Sequence, residues 1–325
     1  MSDQVTAIVL AAGAGTRMRS KRAKVLHELA GRSMIAHSLI TVREAGIART
    51  VAVVGHDRDQ VTAAISEVDP EVMLAVQQDQ RGTGHAVQVA LQALGTRPEG
   101  TVLITYGDVP LLTPQTIGEL LDDHRAAGHV VTILSAELDD PSGYGRIVRD
   151  DTSAVTAIRE DGDADDTERM IREVNSGILA VDGGFLADAV EGLETDNVQG
   201  ELYLTDIVGR AVADGLPVGA HVLEDVWQTE GVNDRTQLAR LGRELNRRLT
   251  QHWMREGVTI VDPDTTWIDS AVTLATDVTL LPGTQLLGAT VVETGATMPS
   301  SSTQSPLGLP PAVMSSSSMC DSPRP

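Results

Sequence analysis

Short β-rich apolar runs alternate with helical stretches over the first 136 residues, and that alternation leaves few folds open. Residues 5–10, 50–54, 72–77, 101–105 and 130–136 are strand-like runs. Amphipathic stretches separate them; the first opens at Ser33, a residue suited to capping a helix, and stops at Gly46. Strands joined by helices of about 10–15 residues form βαβ units and a mostly parallel sheet. Ligands bind such sheets beyond the carboxyl ends of the strands. The loops after Leu10, Gln77 and Thr105 are therefore expected to face one crevice. Composition agrees with this layering. Only 2% of the residues are aromatic, so the core must be built from Val, Ile, Leu and Ala, the residues of buried parallel strands.

Past residue 136 the pattern loosens, with short strands expected near 147–149 and 154–159. The acidic stretch 161–168 superficially resembles a calcium loop. Its sixth position is Asp166 where glycine is needed and its twelfth is Arg172 where Glu is needed, so it reads as a solvated loop. A long helix is predicted over 235–256, marking a domain boundary. After it, Ile268, Leu274, Leu280, Leu286, Val292 and Met298 recur at intervals of six. In the same frame, Val272, Val278, Thr284, Thr290 and Ala296 are small or β-branched. Such a period belongs to a parallel β-helix. The next in-phase residues, Gln304 and Pro310, break it. Residues 299–325 hold nine Ser and six Pro and are expected to be a disordered tail.

The net charge of −21 repels nucleic acid and anionic membranes, which are not expected as partners. No apolar run approaches the ~18 residues of a membrane span, and residues 1–4 lack the basic stretch of a signal peptide. The single cysteine, Cys320, leaves no internal disulfide or cysteine metal cage. A cytoplasmic setting is expected. Arg17, Arg19, Lys21, Arg22, Lys24 and Arg32 crowd between Ala14 and Arg32, and Lys21 and Lys24 are the chain's only lysines. A solvated helix start and an anion site both fit this segment.

The first strand runs into Leu10-Ala11-Ala12-Gly13-Ala14-Gly15-Thr16-Arg17-Met18. A dinucleotide fingerprint fails because Met18 stands where the third glycine belongs, and no Gly-Lys-Ser/Thr marks a Walker loop. A strand, a turn of small residues and nearby cations remain. Glycines let backbone N–H groups approach phosphate oxygens, and Arg17 and Lys24 can neutralise them; a purely structural turn is the alternative. Asp108 follows the 101–105 strand, where a carboxylate can hold Mg²⁺ against phosphates or simply cap a helix. Gln77 carries a donor and an acceptor suited to a base edge, though a surface glutamine is common at such a place.

The segment Leu10 to Met18 with Lys24-Val25-Leu26 resembles the signature of the sugar-1-phosphate nucleotidyltransferases. Gly82-Thr83-Gly84-His85-Ala86, Tyr106-Gly107-Asp108-Val109-Pro110-Leu111, Gly143-Tyr144-Gly145-Arg146-Ile147, Asn175-Ser176-Gly177-Ile178 and Glu230-Gly231-Val232-Asn233 follow in order. Together they resemble the bifunctional N-acetylglucosamine-1-phosphate uridylyltransferase/glucosamine-1-phosphate acetyltransferases, from about Val5 to Ala296. Two departures are visible: Ser176 where Thr is frequent, and Arg81 where an apolar residue is common.

The resemblance implies an α/β fold, a Rossmann-like (GT-A-like) three-layer sandwich over 1–234, followed by a linker helix over 235–257 and the start of a left-handed parallel β-helix over 258–298. It implies UTP and N-acetylglucosamine 1-phosphate as substrates and Mg²⁺ on Asp108 and Asn233. Arg17 and Lys24 take catalytic roles. Leu10, Ala11, Ala12, Gly13, Lys24, Gln77, Gly82, Thr83, Tyr106, Gly107 and Asp108 line the nucleotide side. Gly145, Glu160 and Asn175 lie toward the sugar, and Asn233 also binds substrate. A homotrimer weakened by a short β-helix is expected, with acetyl transfer lost and the Ser/Pro segment arising from a frame break or serving as a tether. The alternatives are a silent sugar-nucleotide sensor or a transferase for another sugar phosphate.

Overall fold

A computed structural model describes residues 4–55, 58–299 and 313–314. In chain order the elements are β1 (Val5–Ala11), β2 (Glu28–Leu29), β3 (Arg32–Ser33), α1 (Met34–Glu44), β4 (Arg49–Val54), α2 (Arg58–Val68), β5 (Met73–Val76), α3 (Thr83–Leu94), β6 (Thr101–Tyr106), α4 (Pro114–Ala127) and β7 (Val131–Glu137). Then come β8 (Arg146–Arg149), β9 (Val155–Arg159), β10 (Glu173–Asp182), α5 (Gly183–Glu191), α6 (Asp206–Ala213), β11 (Val218–Leu223) and α7 (Arg235–Arg255). Two-residue strands complete the series: β12 (Thr259–Ile260), β13 (Trp267–Ile268), β14 (Thr273–Leu274), β15 (Thr279–Leu280), β16 (Gln285–Leu286), β17 (Val291–Val292), β18 (Thr297–Met298) and β19 (Val313–Met314).

Two compact units result, one of Met1–His27 with Met34–Asp234 and one of Glu28–Ser33 with Arg235–Pro325. The β2–β3 hairpin thus groups with the second unit, which a boundary drawn along the chain does not anticipate. In the first unit the main sheet runs β11-β7-β10-β6-β1-β4-β5. Alternate side chains of each strand go to opposite faces. Ile8 and Leu10 join Val51, Val53 and residues of α3, α5 and α6 on one face; Ala7, Val9 and Ala11 join Ala52, Val54 and residues of α1, α2 and α4 on the other. Helix, sheet and helix make the three layers. Within the sheet β10 is the exception, antiparallel to both β6 and β7. Its register shifts between Asn175 and Leu179, a bulge at the Asn-Ser-Gly-Ile motif. There Gly177 has φ 83°, and a side chain at that position would run into the Tyr106 ring.

In the second unit β13 pairs β16, β14 pairs β17 and β15 pairs β18, all parallel and eighteen residues apart, three hexads per coil. The six in-phase residues from Ile268 to Met298 are buried, as are Val272, Val278, Thr284, Thr290 and Ala296 between them. β12 begins the stack ahead of the six-residue frame: Thr259 pairs Thr279, so the first coil is two residues longer than the next. The surplus sits in a turn where Thr265 Oγ1 donates to Asp262 Oδ2 (2.7 Å) and Thr266 Oγ1 to the Asp262 carbonyl (2.8 Å). Most of the tail expected to be disordered from residue 299 lies outside the described residues. Val313 and Met314 do not fit that expectation, because their backbone runs parallel to Val291 and Val292 of β17. Among the described residues no helix is long and apolar enough to cross a membrane.

One buried polar group gives the first unit a pH dependence. His124, on α4, is 1% exposed, with Nδ1 2.9 Å from Thr132 Oγ1; His129 Nδ1 lies 3.1 Å from the same hydroxyl. Burial, then the neighbouring His129, pushes the His124 imidazole down to about 4. The unfolded chain protonates this histidine near 6.5, so native stability is lost as pH falls from about 6.5 toward 4. His124→Gln, read by urea unfolding at pH 7.5 and 5.0, should lose about 2 kcal/mol less than the parent between the two pH values, at about 1.4 kcal/mol per unit. An unchanged difference would mean the imidazole is not the titrating group.

Candidate active site

β1 lies between β6 and β4, so the loops that follow these strands emerge side by side. After β1 the chain turns through exposed Gly13, with no atom within 4 Å of where a Cβ would be, and Gly15, at φ 59°. A Cβ on Gly15 would meet the Lys24 side chain at 2.5 Å, so this glycine both permits the turn and makes room for the lysine. From β6 the Gly107 N–H donates to the Leu10 carbonyl (2.9 Å), placing Asp108 across from Lys24. The Lys24 ammonium pairs with Asp108 Oδ2 and reaches Asn233 Oδ1 at 3.4 Å. Asn233 arrives from a distant segment, held because the Val232 N–H donates to the Asp108 carbonyl (2.9 Å).

A carboxylate and an amide oxygen are hard donors that suit Mg²⁺, which commonly takes one or two protein oxygens and completes its shell with phosphate and water. These oxygens already hold one cation between them, the Lys24 ammonium. Among the described residues there is no cluster of three or more His, Cys, Asp or Glu able to hold a metal ion.

These groups line a cavity of about 350 Å³ with Leu10, Ala11, Ala12, Gly13, Gln77, Gly82, Thr83 and Tyr106. Gln77 is 4% exposed rather than a surface residue; its Nε2 donates to the Gly82 carbonyl (3.1 Å) and lies 3.2 Å from His85 Nδ1. Gly82 has φ 101°, and a Cβ there would strike the Leu202 carbonyl at 2.5 Å. The Leu204 N–H donates to Thr83 Oγ1 (3.1 Å), so the Gly-Thr turn is tied to the 202–204 segment. Larger cavities, about 590 Å³ beside α3 and α5 and about 900 Å³ beside α7 and β13, also carry arginine, carboxylate and amide side chains, but neither is lined by the glycine turn, Lys24 or Asp108. Volume does not choose the site; chemistry does.

Gly145, Glu160 and Asn175 form a neighbouring group. A Cβ on Gly145 would lie 3.4 Å from Glu160 Oε2 and 3.6 Å from Asn175 Cβ. The Asn175 N–H donates to the Gly145 carbonyl (2.8 Å), and Asn175 Oδ1 accepts from the Gly177 N–H (2.9 Å). Ser176, the departure from the family pattern, donates its hydroxyl to the Leu134 carbonyl (2.6 Å). Burial raises the Glu160 carboxyl above its usual range, against the hydrogen bond from Thr205 Oγ1 (2.9 Å). The Tyr106 phenol, between the two groups, is pushed up first by burial and then by Asp108 and Glu160.

Arg17 is not brought into this group. It sits exposed on the 3₁₀ turn Thr16–Met18, outside the cavity lining. Sequence reasoning missed Gln80, whose Nε2 donates to the Ala12 carbonyl (2.5 Å), Glu201 on the cavity wall, and Thr205 on Glu160. No motif announces them, because their partners come from distant segments.

Residues 7–176 match the MobA-like NTP transferase domain. The bifunctional protein GlmU of Paenarthrobacter aurescens (strain TC1) is 55% identical over 287 residues, 88% of this chain and 58% of that protein. The bifunctional protein GlmU of Cutibacterium acnes is 52% identical over 298 residues, 90% of this chain and 71% of that protein. The chain thus spans between half and three-quarters of these relatives' lengths. A solved structure from Bacillus anthracis, described as a candidate glucose-1-phosphate thymidylyltransferase, shares the fold at TM-score 0.58 and 20% identity, over 73% of this chain and 94% of that one. With its glycine turn, Lys24 and Asp108 inside the matched domain, the chain belongs to the GlmU family.

Proposed function

We propose that this chain transfers the uridylyl group of UTP to N-acetylglucosamine 1-phosphate, giving UDP-N-acetylglucosamine and pyrophosphate. The observation that carries this reading is the meeting of Lys24, Asp108 and Asn233 beside the glycine turn, with Gln77 in the same cavity. The sugar phosphate oxygen attacks the α-phosphorus in line and pyrophosphate leaves. That nucleophile is already an anion near neutral pH, so positioning and charge neutralisation carry the catalysis rather than a general base. Lys24 holds phosphate charge, and the N–H groups of the Gly13 turn lie open to phosphate oxygens. Gln77, oriented by Gly82 and His85, offers its amide to the base, while Gly145, Glu160 and Asn175 receive the sugar. Mg²⁺, when bound by Asp108 and Asn233, supplies further neutralisation of phosphate charge. Arg17, exposed beside the turn, is proposed to join only a bound triphosphate.

The reading carries over the family's homotrimer, held weakly by the coils of residues 258–298, and a cytoplasmic setting. It also holds that this 325-residue chain does not acetylate glucosamine 1-phosphate. Glucosamine 1-phosphate with acetyl-CoA should release no free CoA thiol; acetyl transfer by the purified chain would overturn that part.

Pyrophosphate release with UTP, Mg²⁺ and a panel of sugar phosphates tests the main reading, which expects the N-acetylglucosamine ester to be preferred. No release with any sugar phosphate would instead favour a silent sensor. Lys24→Ala should lower the rate by about 10²–10³, roughly 3–4 kcal/mol, whereas Lys21→Ala should stay near the parent. Equal losses would make the basic segment a diffuse field. Asp108→Asn should remove most metal-dependent turnover with the melting temperature kept, since its side chain is 16% exposed in a crevice rather than in the core. Normal turnover, or unfolding, would make Asp108 structural.

A further inference from the structure

Asp108 and Asn233 come from segments far apart in the chain, and Asn233 lies on no helix or strand. Something must fix its segment to the loop carrying Asp108. One backbone bond, from the Val232 N–H to the Asp108 carbonyl, does part of this. A second tie is Gln228, at the start of the same segment and 6% exposed. Its Oε1 accepts from the Thr113 N–H (3.0 Å), the Thr113 hydroxyl (3.0 Å) and the Thr116 hydroxyl (2.7 Å). Its Nε2 donates to Asp225 Oδ2 (3.1 Å). Thr113 is the cap of α4, accepting from the Thr116 N–H (3.2 Å), and it ends the loop that begins at Asp108. A single buried amide therefore references the Asn233 segment to the end of the Asp108 loop. A buried acceptor holding several donors has one permitted place, because moving it leaves those donors unmet.

We propose that Gln228 is a positioning residue: it sets Asn233 against Asp108 and thereby the affinity of the pair for a divalent cation. The inference rests on the reading of Asp108 and Asn233 as the metal-holding pair. It concerns a residue that touches neither substrate nor metal, so its signature is a change in metal dependence rather than in nucleotide recognition.

Gln228→Met keeps the volume and removes the acceptor and donor. It should weaken Mn²⁺ binding in the presence of UTP, read by electron paramagnetic resonance without sugar phosphate, by at least about tenfold (about 1.4 kcal/mol), the loss expected when a partner that orients a metal ligand is removed. The metal needed for half-maximal pyrophosphate release should rise in step, with KM for UTP at saturating metal within about threefold of the parent. Gln228→Glu with Asp225→Asn restores acceptor and donor with the charge moved across, and should bring Mn²⁺ affinity back to within about threefold. Thr116→Val, which deletes one donor and keeps shape, should shift it partway in the same direction and stays informative if the Met variant does not fold. Parental Mn²⁺ affinity in any folded variant lacking the Gln228 acceptor, or a double variant that does not recover, would overturn the inference. Absent pyrophosphate release by the parent would instead count against the uridylyl-transfer reading, while Mn²⁺ binding would still decide the role of Gln228.

Discussion

The ion pair between Lys24 and Asp108 is the contact around which the site is arranged. It forms because β1 and β6 are neighbours in a parallel sheet, so their following loops leave the same edge. The side chains are 12% and 16% exposed, wet enough for exchange with a ligand yet shielded enough for charge to matter. Gly15 makes the approach possible by lacking a Cβ where the Lys24 stem passes. In a chain of net charge −21, a cation at this edge is the local exception that the proposed phosphate substrates call for.

The bulge of β10 serves the same site from the other side. By shifting register between Asn175 and Leu179 it lets Asn175 Oδ1 accept from the Gly177 N–H and leaves space at Gly177 for the Tyr106 ring. Tyr106 in turn takes a hydrogen bond at its carbonyl from Ser38 Oγ (3.0 Å), anchoring the end of β6 to α1. Backbone irregularity is thus concentrated where side chains must be aimed, and the regular strands behind it carry the core.

Much of this was legible in the sequence. Short β-rich apolar runs between amphipathic helices gave the sheet, and the hexads from Ile268 to Met298 gave the coils, because run composition and a repeating inward residue are local properties. What was not legible depends on partners distant in the chain. The antiparallel insertion of β10 between β6 and β7 depends on strands far apart in the chain, and β12 escaped because two extra residues in the Asp262 turn put Ile260 out of phase. Gln77 reads as suited to a base edge, but its burial and its hydrogen bond to the Gly82 carbonyl do not show in the sequence; Gln80, Thr205 and Gln228 carry no motif at all, since each is defined by a carbonyl, carboxylate or hydroxyl brought from elsewhere. Arg17 shows the converse. Its motif is plain, yet it stands exposed beside the turn.

The most direct test is a crystal structure of the chain soaked with UTP and Mn²⁺, using anomalous scattering to place the ion. One peak is expected beside the Asp108 carboxylate and the Asn233 amide oxygen, with the Lys24 ammonium moved onto phosphate oxygens and uracil against Gln77. An ion away from both oxygens, or a triphosphate remote from the Gly13 turn, would contradict it.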